Sequence, residues 1–373
     1  MKNNTKTLLL LLLIITLVFS LLTIFIYSDS PPSVSARAAA LYDPFSEKFI
    51  YTKNEYMHLG MASTTKILTA HIALNELDTE EPITIDKRAT GIEGSSIYLK
   101  EGEILTVMDL IYATLLQSAN DAAAALAYRI SGELDLFAEK MNLYAYELGL
   151  ENSNFENPHG LDSKNHYTCA HDLAIIASEA MKDDRFREIA ATKTKKIESS
   201  DCTRTLKNHN KLLSSYEGCI GIKTGYTKKT GRSLVSAAER DGLTLIAVTI
   251  DAPDDWRDHK SLLDYAYSLF EMRRVVSEKE FTYDLPVLDG TAQTVTVSNA
   301  EGFSRVTYKS TPKFNCELHL PRYLVAPINE GDVVGQIIIK EDQNEIYRID
   351  VTASESVEKE SFISKYFNKD KYG

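Results

Sequence analysis

Cysteine is scarce in this sequence, which contains four in 373 residues: Cys169, Cys202, Cys219 and Cys316. Four cysteines are too few for a disulfide-dense scaffold. None of them belongs to a C-x-x-C pair, which argues against a structural zinc site. The histidines also lack a spacing typical of a metal site, so the sequence predicts no bound metal.

Sustained basic stretches are missing as well. The chain has 41 basic and 53 acidic residues, a net charge of −12, which argues against nucleic acid as a partner. Apolar residues make up 44% of the chain and charged residues 25%, which excludes a disordered or collagen-like protein. At roughly 150 residues per domain, the length predicts about two domains.

One long apolar run stands at the N-terminus. Lys2 and Lys6 precede residues 8–27, which carry no charge and are long enough to span ~30 Å of hydrocarbon as a helix. A secretory signal has a shorter core of ~7–15 residues, followed by a small-residue cleavage site. Residues 34–36, VSA, resemble such a site but lie far past the run. Cleaved signal and retained anchor both stay open, and either one predicts export.

Export places the rest of the chain at the outer face of the cytoplasmic membrane or in the cell-wall space. We expect the N-terminal segment to supply the membrane attachment, because the tail at 356–373 is polar and offers few large apolar residues. A disulfide between Cys202 and Cys219 is a further hypothesis in that compartment.

The order of apolar patterns predicts an α+β domain. Two short strands around 37–43 and 48–53 come first, and a buried helix follows at about 63–77. From about 106 to 187 the pattern is helical. Three strands and a helix follow at 220–224, 233–238, 243–250 and 258–270. This order implies one antiparallel sheet completed by both halves of the chain, with a helical subdomain inserted between them.

A second kind of region begins near residue 280. Short alternating apolar runs separated by Gly, Asn, Asp and Pro predict a small β-sandwich or barrel up to about residue 352. The predicted organisation is a signal or anchor with a linker at 1–35, a catalytic domain at 36–274, a β domain at 279–355 and a tail at 356–373.

A hydroxyl and an amine stand three residues apart at the start of the buried helix, as Ser63 and Lys66. At this spacing both side chains lie on one helical face. Serine needs a base to become a nucleophile, and a lysine serves when its surroundings lower its pKa. Taken alone, S-x-x-K is a weak signal, because an N-capping serine has the same appearance.

Two more strings sharpen the prediction. Ser118 and Asn120 lie between two predicted helices, where a loop presents a second hydroxyl and a carboxamide. Lys223, Thr224 and Gly225 form a K-T-G string on a predicted strand, and a strand glycine often marks close approach by a ligand. Ordinary helix capping and a surface strand remain the alternatives for each string alone, but the order of all three matches a known motif set.

On these motifs, residues 38–270 resemble the low-molecular-mass penicillin-binding D-alanyl-D-alanine carboxypeptidases, and the strings at 94–96, 157–162 and 222–227 are also similar to that family. The resemblance implies a penicillin-binding/β-lactamase-like domain with a five-stranded antiparallel sheet, helices and an all-helical subdomain. The region after 280 resembles the small all-β domain that follows in the family. No cofactor is implied.

The resemblance also implies catalytic roles. Ser63 corresponds to the acylated nucleophile and Lys66 to its general base. Ser118 corresponds to the group that relays a proton to the leaving amine. Asn120 corresponds to the residue that holds the substrate amide.

Substrate contacts are implied for the K-T-G strand. Lys223 supplies positive charge near the substrate carboxylate, and Thr224 binds that carboxylate. The backbone N–H of Tyr226, next to Gly225, would join that of the nucleophile in an oxyanion hole. Arg257 is a candidate for a second carboxylate contact. Tyr226 stands where some family members have histidine, and the second motif is S-A-N rather than S-D-N.

The function implied is removal of the terminal D-alanine from peptidoglycan stem pentapeptides, with β-lactam antibiotics as covalent inhibitors. DD-endopeptidase activity on cross-links stays open, because the same chemistry serves both substrates. A β-lactamase is disfavoured, since neither Glu151 nor Glu156 begins the E-x-x-L-N string of class A enzymes. A catalytically silent wall protein is disfavoured because all three motifs are intact.

Overall fold

The computed structural model describes residues 30–310 and 314–361. The apolar run at 8–27 and the end of the tail lie outside the described residues. Among the residues that are described, no helix is long and apolar enough to cross a membrane. The chain divides into two compact units between Ser268 and Leu269, a few residues before the boundary expected from the sequence.

The first unit contains the predicted sheet. Its described strands are, in chain order, β1 (Ala38–Asp43), β2 (Lys48–Lys53), β3 (Pro82–Thr84), β4 (Ile104–Thr106), β5 (Thr194–Glu198), β6 (Thr203–Lys207), β7 (Cys219–Thr227), β8 (Gly231–Arg240) and β9 (Leu243–Ile250). Five of them form one antiparallel sheet in the order β2-β1-β9-β8-β7, which confirms the predicted sheet. The hairpins β3–β4 and β5–β6 were not predicted, because their strands are short or lysine-rich.

The α-helices described in this unit are α1 (Lys66–Glu76), α2 (Val107–Leu116), α3 (Asn120–Ser131), α4 (Leu134–Glu147), α5 (Ala170–Ala180), α6 (Asp184–Ala191), α7 (Leu212–Ser215) and α8 (Asp255–Leu269). The last of them ends one residue past the division between the units. Helix α2 ends at Leu116 and helix α3 begins at Asn120, so Ser118 and Ala119 of the S-A-N string lie in the turn between the two helices.

Helix α1 is the centre of the first unit's core. Its apolar residues are buried nearly all round, as the sequence predicts, and it packs on α2, α3 and α5. The α-helix begins at Lys66, later than expected, and a 3₁₀ turn at Ala62–Thr65 precedes it. Ser63 therefore lies in a turn whose backbone leads into a fully buried helix.

The prediction of helix from 106 to 187 is wrong in one segment. Residues 148–169 form a non-helical loop between α4 and α5, fastened by isolated bridges of Leu59 with Thr168 and Asn154 with Tyr167. The loop is rich in asparagine, proline and glycine, which favour turns over helix. Gly149 begins it with a φ of +72°, as a residue that ends a helix should.

The hairpin between β8 and β9 follows the sequence closely. Asp241 and Gly242 connect the two strands with φ values of +50° and +81°. Positive φ at both residues is the geometry of a two-residue type I′ turn, which matches the twist of the flanking strands. This turn sets the register of β8 on β9, in which Arg240 pairs with Leu243.

The described residues of the second unit form β-strands and their connections from Phe270 onward, as predicted. Its described strands are β10 (Phe270–Val276), β11 (Thr282–Leu288), β12 (Thr294–Asn299), β13 (Phe303–Tyr308), β14 (Phe314–His319), β15 (Leu324–Val325), β16 (Val333–Glu341) and β17 (Asn344–Ala353). Six form a sheet in the order β14-β16-β17-β12-β11-β15, and β10 pairs with β13. Aliphatic residues such as Val297, Ile337 and Ile349 form a core of their own.

Candidate active site

The turn that carries Ser63 is built by close backbone contacts. Ala62 has a φ of +47°, a conformation that is costly for a residue with a side chain. Gly160, with a φ of +85°, packs against this turn so tightly that an added Cβ would lie 1.9 Å from the carbonyl oxygen of Ala62. A Cβ on Gly225 would lie 3.2 Å from the backbone nitrogen of Ser63. Both glycines are therefore needed for loop 148–169 and strand β7 to approach Ser63.

Lys66 is completely buried below Ser63. Its Nζ lies 3.1 Å from Ser63 Oγ and 2.7 Å from Asn120 Oδ1, and it also donates to the carbonyl oxygen of His159. Burial lowers its pKa well below the usual value, and the positive charge of Lys223 lowers it further. Asp121 acts in the opposite direction. The structure thus brings the serine, the amine and the carboxamide together as the motifs predict.

Ser118 and Asn120 lie in the connection between α2 and α3. Ser118 is buried and has a φ of +59°, another strained position beside the site. Asn120 is the first residue of α3, and its Nδ2 donates to the carbonyl oxygen of Glu93. The backbone N–H of Asn120 donates to the carbonyl oxygen of Ser95 at 2.7 Å. These bonds fix the orientation of the Asn120 carboxamide toward Lys66.

Lys223 is the second buried amine, and it lies on edge strand β7. It is 1% exposed, and its Nζ donates to the carbonyl oxygen of Thr224 at 3.0 Å. Burial lowers the pKa of Lys223 to about 7. A buried lysine with few hydrogen-bond partners has an unfavourable charged form. An anion bound beside it would stabilise that charged form.

A cavity of about 290 Å³ opens over Ser63. Predicted site residues on its wall are Ser63, Ser118, Thr224, Gly225 and Tyr226. Ser95, from the family-like string at 94–96, also lines the cavity, and the lining residues that sequence reasoning missed are His209, Lys211, Arg232, Asp255 and Trp256. Lysine and arginine outnumber the single carboxylate among the described lining residues, so the cavity favours an anionic ligand.

The structure does not bring Arg257 to this cavity. Its side chain is 70% exposed and pairs with Asp254 on the outer side of α8. Arg232 lines the cavity instead, where its guanidinium is held by both oxygens of Asp255 at 2.9 Å. The hairpin register pairs Arg232 with Tyr226 across β7 and β8, a signal that extending the predicted strands would have revealed.

Other polar groups near the site have structural partners. Burial lowers the pKa of His159 to about 3, so its ring is neutral, and only its carbonyl oxygen touches Lys66. The carboxylate of Glu156 accepts from Ser163 and Asn165 and does not line the cavity.

The cysteines give no support for the Cys202–Cys219 disulfide, since all four are free. Cys169, His171 and Asp172 lie close enough together to resemble a metal site. Cys169 Sγ, however, accepts from the backbone N–H of Asp172 at the start of α5, and Asp172 accepts from Asn152 and Ser153. This cluster is a helix cap.

The fold and the site define the penicillin-binding class of active-site serine proteins. The structure of penicillin-binding protein 5 from Haemophilus influenzae matches with a TM-score of 0.65 and 27% identity, covering 88% of this chain and 99% of that one. Residues 270–359 match the family described as the C-terminal domain of penicillin-binding protein 5.

Sequence comparisons are more specific. Residues 26–254 match the peptidase S11 family, D-alanyl-D-alanine carboxypeptidase. The D-alanyl-D-alanine carboxypeptidase DacF of Bacillus subtilis is 31% identical, covering 88% of this chain and 87% of that protein. DacC of Escherichia coli K12 is 32% identical, covering 90% and 88%. The chain belongs to the D-alanyl-D-alanine carboxypeptidase family, and it is a serine-type peptidase.

Proposed function

We propose that this chain removes the terminal D-alanine of peptidoglycan stem pentapeptides through an acyl-enzyme on Ser63. The observation that carries this proposal is the buried Nζ of Lys66, 3.1 Å from Ser63 Oγ with its pKa strongly lowered. A neutral amine has two N–H groups and one lone pair. The two N–H groups serve the oxygens of Asn120 and His159, which leaves the lone pair for the proton of Ser63.

The first half-reaction transfers the acyl group to the enzyme. Ser63 Oγ attacks the carbonyl carbon of the penultimate D-alanine while Lys66 Nζ accepts the hydroxyl proton. The peptide bond then breaks, and Ser118 passes a proton to the leaving amine of D-alanine. Water hydrolyses the ester in the second half-reaction and releases the shortened peptide.

Strand β7 supplies the binding groups in this proposal. It is the edge strand of the sheet, so an extended peptide is able to lie along it as an added strand. The backbone N–H groups of Ser63 and Tyr226 would hold the developing oxyanion. The substrate carboxylate would bind Thr224 under the positive charge of Lys223, and Asn120 would hold the acyl-side amide.

The same site predicts covalent inhibition by β-lactams. Among the described residues that line the cavity, Asp255 is the one carboxylate, and Arg232 holds both of its oxygens. That carboxylate is not free to activate a deacylating water, so an adduct should be hydrolysed slowly. This supports a carboxypeptidase over a β-lactamase.

Intact mass after exposure to penicillin, with peptide mapping of the adduct, tests the proposal. The expected result is one adduct per chain on the peptide containing Ser63, stable over minutes, and none on a Ser63→Ala protein. An adduct on another residue would overturn the assignment of the nucleophile. Rapid turnover of a chromogenic cephalosporin would instead favour a β-lactamase.

We also propose that the enzyme acts outside the cytoplasmic membrane and is held there by residues 8–27. Support comes from the length and uncharged character of that run, and from the polar tail after residue 356. Membrane fractionation of the full chain beside a form that ends at residue 355 tests this. Both should sediment with membranes, and release of the shorter form would assign the attachment to the tail instead.

A further inference from the structure

The turn at residues 95–99, beside the active-site cavity, presents an unusual aromatic side chain. Tyr98 is 83% exposed, the highest fraction among the large apolar side chains of the described residues. Its φ is +58°, a conformation that costs a bulky residue free energy and that glycine or asparagine adopts more easily. Tyrosine is therefore a poor choice for this position if folding alone is considered.

The backbone on both sides of Tyr98 is held firmly from the α3 side. Asp121 is fully buried, and its carboxylate accepts from the backbone N–H of Ile97 at 3.2 Å and of Leu99 at 3.0 Å. It also accepts from the hydroxyl of Ser96, which in turn accepts from the N–H of Tyr98 at 2.9 Å. One carboxylate thus fixes the whole turn.

Strand β6 holds the same turn from the other side. Arg204 donates through Nε to the carbonyl oxygen of Ile97 at 2.8 Å and through Nη2 to that of Tyr98 at 3.3 Å. Its guanidinium pairs at 2.5 Å with Glu103, which is fully buried. A largely buried ion pair at this position makes the turn rigid, so the ring of Tyr98 is carried at a defined place rather than on a mobile loop.

This turn is part of the active-site wall. Ser95 lines the cavity, and its carbonyl oxygen accepts from the N–H of Asn120 at 2.7 Å. Asp121 follows Asn120 directly, so the group that would hold the substrate amide and the group that fixes Tyr98 are neighbours on α3. Two residues, Ser96 and Ile97, separate Ser95 from Tyr98, so the Cα atoms of Ser95 and Tyr98 lie at most about 11 Å apart.

We propose that Tyr98 is a specificity-determining residue that contacts the side chain of the residue preceding D-Ala-D-Ala. This inference rests on the proposed function. In that function the leaving D-alanine lies toward Thr224, so the acyl-donor side of the peptide lies toward Asn120 and the Tyr98 turn. The ligand chemistry that fits is a long side chain with an amine, whose methylenes pack on the ring while the cation lies near its face.

Two matched substrates test the proposal: Nα-acetyl-L-Lys-D-Ala-D-Ala and Nα-acetyl-L-Ala-D-Ala-D-Ala, followed by release of D-alanine. In Tyr98→Asn, kcat/KM for the lysine substrate should fall about three- to tenfold through KM, while the alanine substrate changes little. Tyr98→Phe should keep the preference, because the ring face is retained. Tyr146→Asn, at a 79% exposed tyrosine on α4, is the control and should behave as the unaltered enzyme.

Thermal unfolding separates this role from a structural one. Asparagine tolerates positive φ, so Tyr98→Asn should melt at the same temperature as the unaltered enzyme or a few degrees higher. An equal change for both substrates, or no change for either, would overturn the proposal. If the unaltered enzyme released no D-alanine from either substrate, the proposed function itself would fail, and penicillin labelling of Ser63 would report on that separately.

Discussion

The two units of the chain treat buried polarity in opposite ways. The first unit buries ionisable side chains, among them Lys66, Lys223, Glu103 and Asp121. Among the described residues of the second unit, the buried polar side chains are Ser298, Asn299 and Thr307, and none carries a charge. Removing a charge from water costs several kcal/mol unless partners compensate for it. Folding of the first unit therefore includes a desolvation cost that the described residues of the second unit do not incur.

The buried ionisable groups of the first unit fall into two kinds, those with a compensating partner and those without one. Glu103 is matched by Arg204, and Asp121 by three donors of one turn, so both are structural. The amines of Lys66 and Lys223 have no carboxylate within bonding distance among the described residues. Burial lowers the pKa of both amines, and the charge of Lys223 lowers that of Lys66 further. Buried amines without a carboxylate partner are the catalytic and binding groups, and buried carboxylates with partners belong to the scaffold around them.

The largest effect that would test this contrast is expected from Lys66→Ala. If Lys66 is the base for Ser63, penicillin acylation should fall roughly 10³–10⁴-fold, because the hydroxyl loses its proton acceptor. The acylation rate is measured from the time course of covalent labelling with a fluorescent penicillin. Ser63→Ala, which lacks the nucleophile, should show no acylation and sets the zero of the measurement.

Near-normal acylation in Lys66→Ala would remove the general-base role and break the contrast between the two units. Circular dichroism should show a folded protein, because alanine removes a buried amine whose desolvation is itself unfavourable.

A smaller effect on acylation is expected from Gly160→Ala, which alters the backbone packing around Ser63 and leaves the catalytic side chains in place. The new Cβ would meet the carbonyl oxygen of Ala62 at 1.9 Å, so the Ser63 turn must shift. Displacing a nucleophile by about 1 Å costs on the order of 10²-fold in rate, and we expect a loss of roughly ten- to hundredfold in acylation.

Gly91→Ala is the matched control for this change. Gly91 also has a positive φ, of +68°, but an added Cβ there meets nothing within 4 Å. Its acylation rate should stay within about twofold of the unaltered rate. If the two variants slowed acylation alike, backbone strain rather than the contact with Ala62 would be the cause.

The smallest effect on acylation is expected from Ile349→Ala in the second unit. Ile349 is fully buried in the β core, so truncation should lower the free energy of unfolding by about 2–5 kcal/mol. The penicillin acylation rate should nevertheless remain unchanged. Ile67→Ala, at a fully buried residue next to Lys66 on α1, removes the same atoms and should slow acylation.

Thermal unfolding and acylation measured on the same two samples sharpen the contrast between the units. Equal slowing by Ile349→Ala and Ile67→Ala would mean that the second unit's core supports the active site, against the division drawn above.

Much of the fold was predictable because it depends on local patterns. The apolar residues of helix α1 are buried nearly all round it, and Asp241-Gly242 forms the turn that its residues favour. The hairpin β5–β6 escaped prediction because its outward residues are lysine and threonine and its inward ones are few. Loop 148–169 was covered by a helical prediction because it lies between two helices, although its asparagine, proline and glycine residues favour turns.

The active site also contains residues whose position the local sequence predicts and residues whose position it does not. Ser63 and Lys66 are three residues apart, so their approach at the helix start follows from spacing alone. Arg232 and Trp256 reach the cavity from different elements, and Arg257 points away from it although it is adjacent to Trp256 in the chain. No local pattern distinguishes Trp256 from Arg257, because a side chain's direction at a helix start depends on what packs beneath it.

The sequence by itself determined which groups are available: a hydroxyl and an amine on one helical turn, a carboxamide after a second serine, and a lysine on a strand. Only the tertiary structure decided the protonation states of the two amines. Desolvation depends on every layer packed around Lys66 and Lys223, and the repulsion between them depends on α1 and β7 meeting in space. These effects arise from residues far apart in the chain, so the amine that would take the proton of Ser63 exists as a base only in the folded protein.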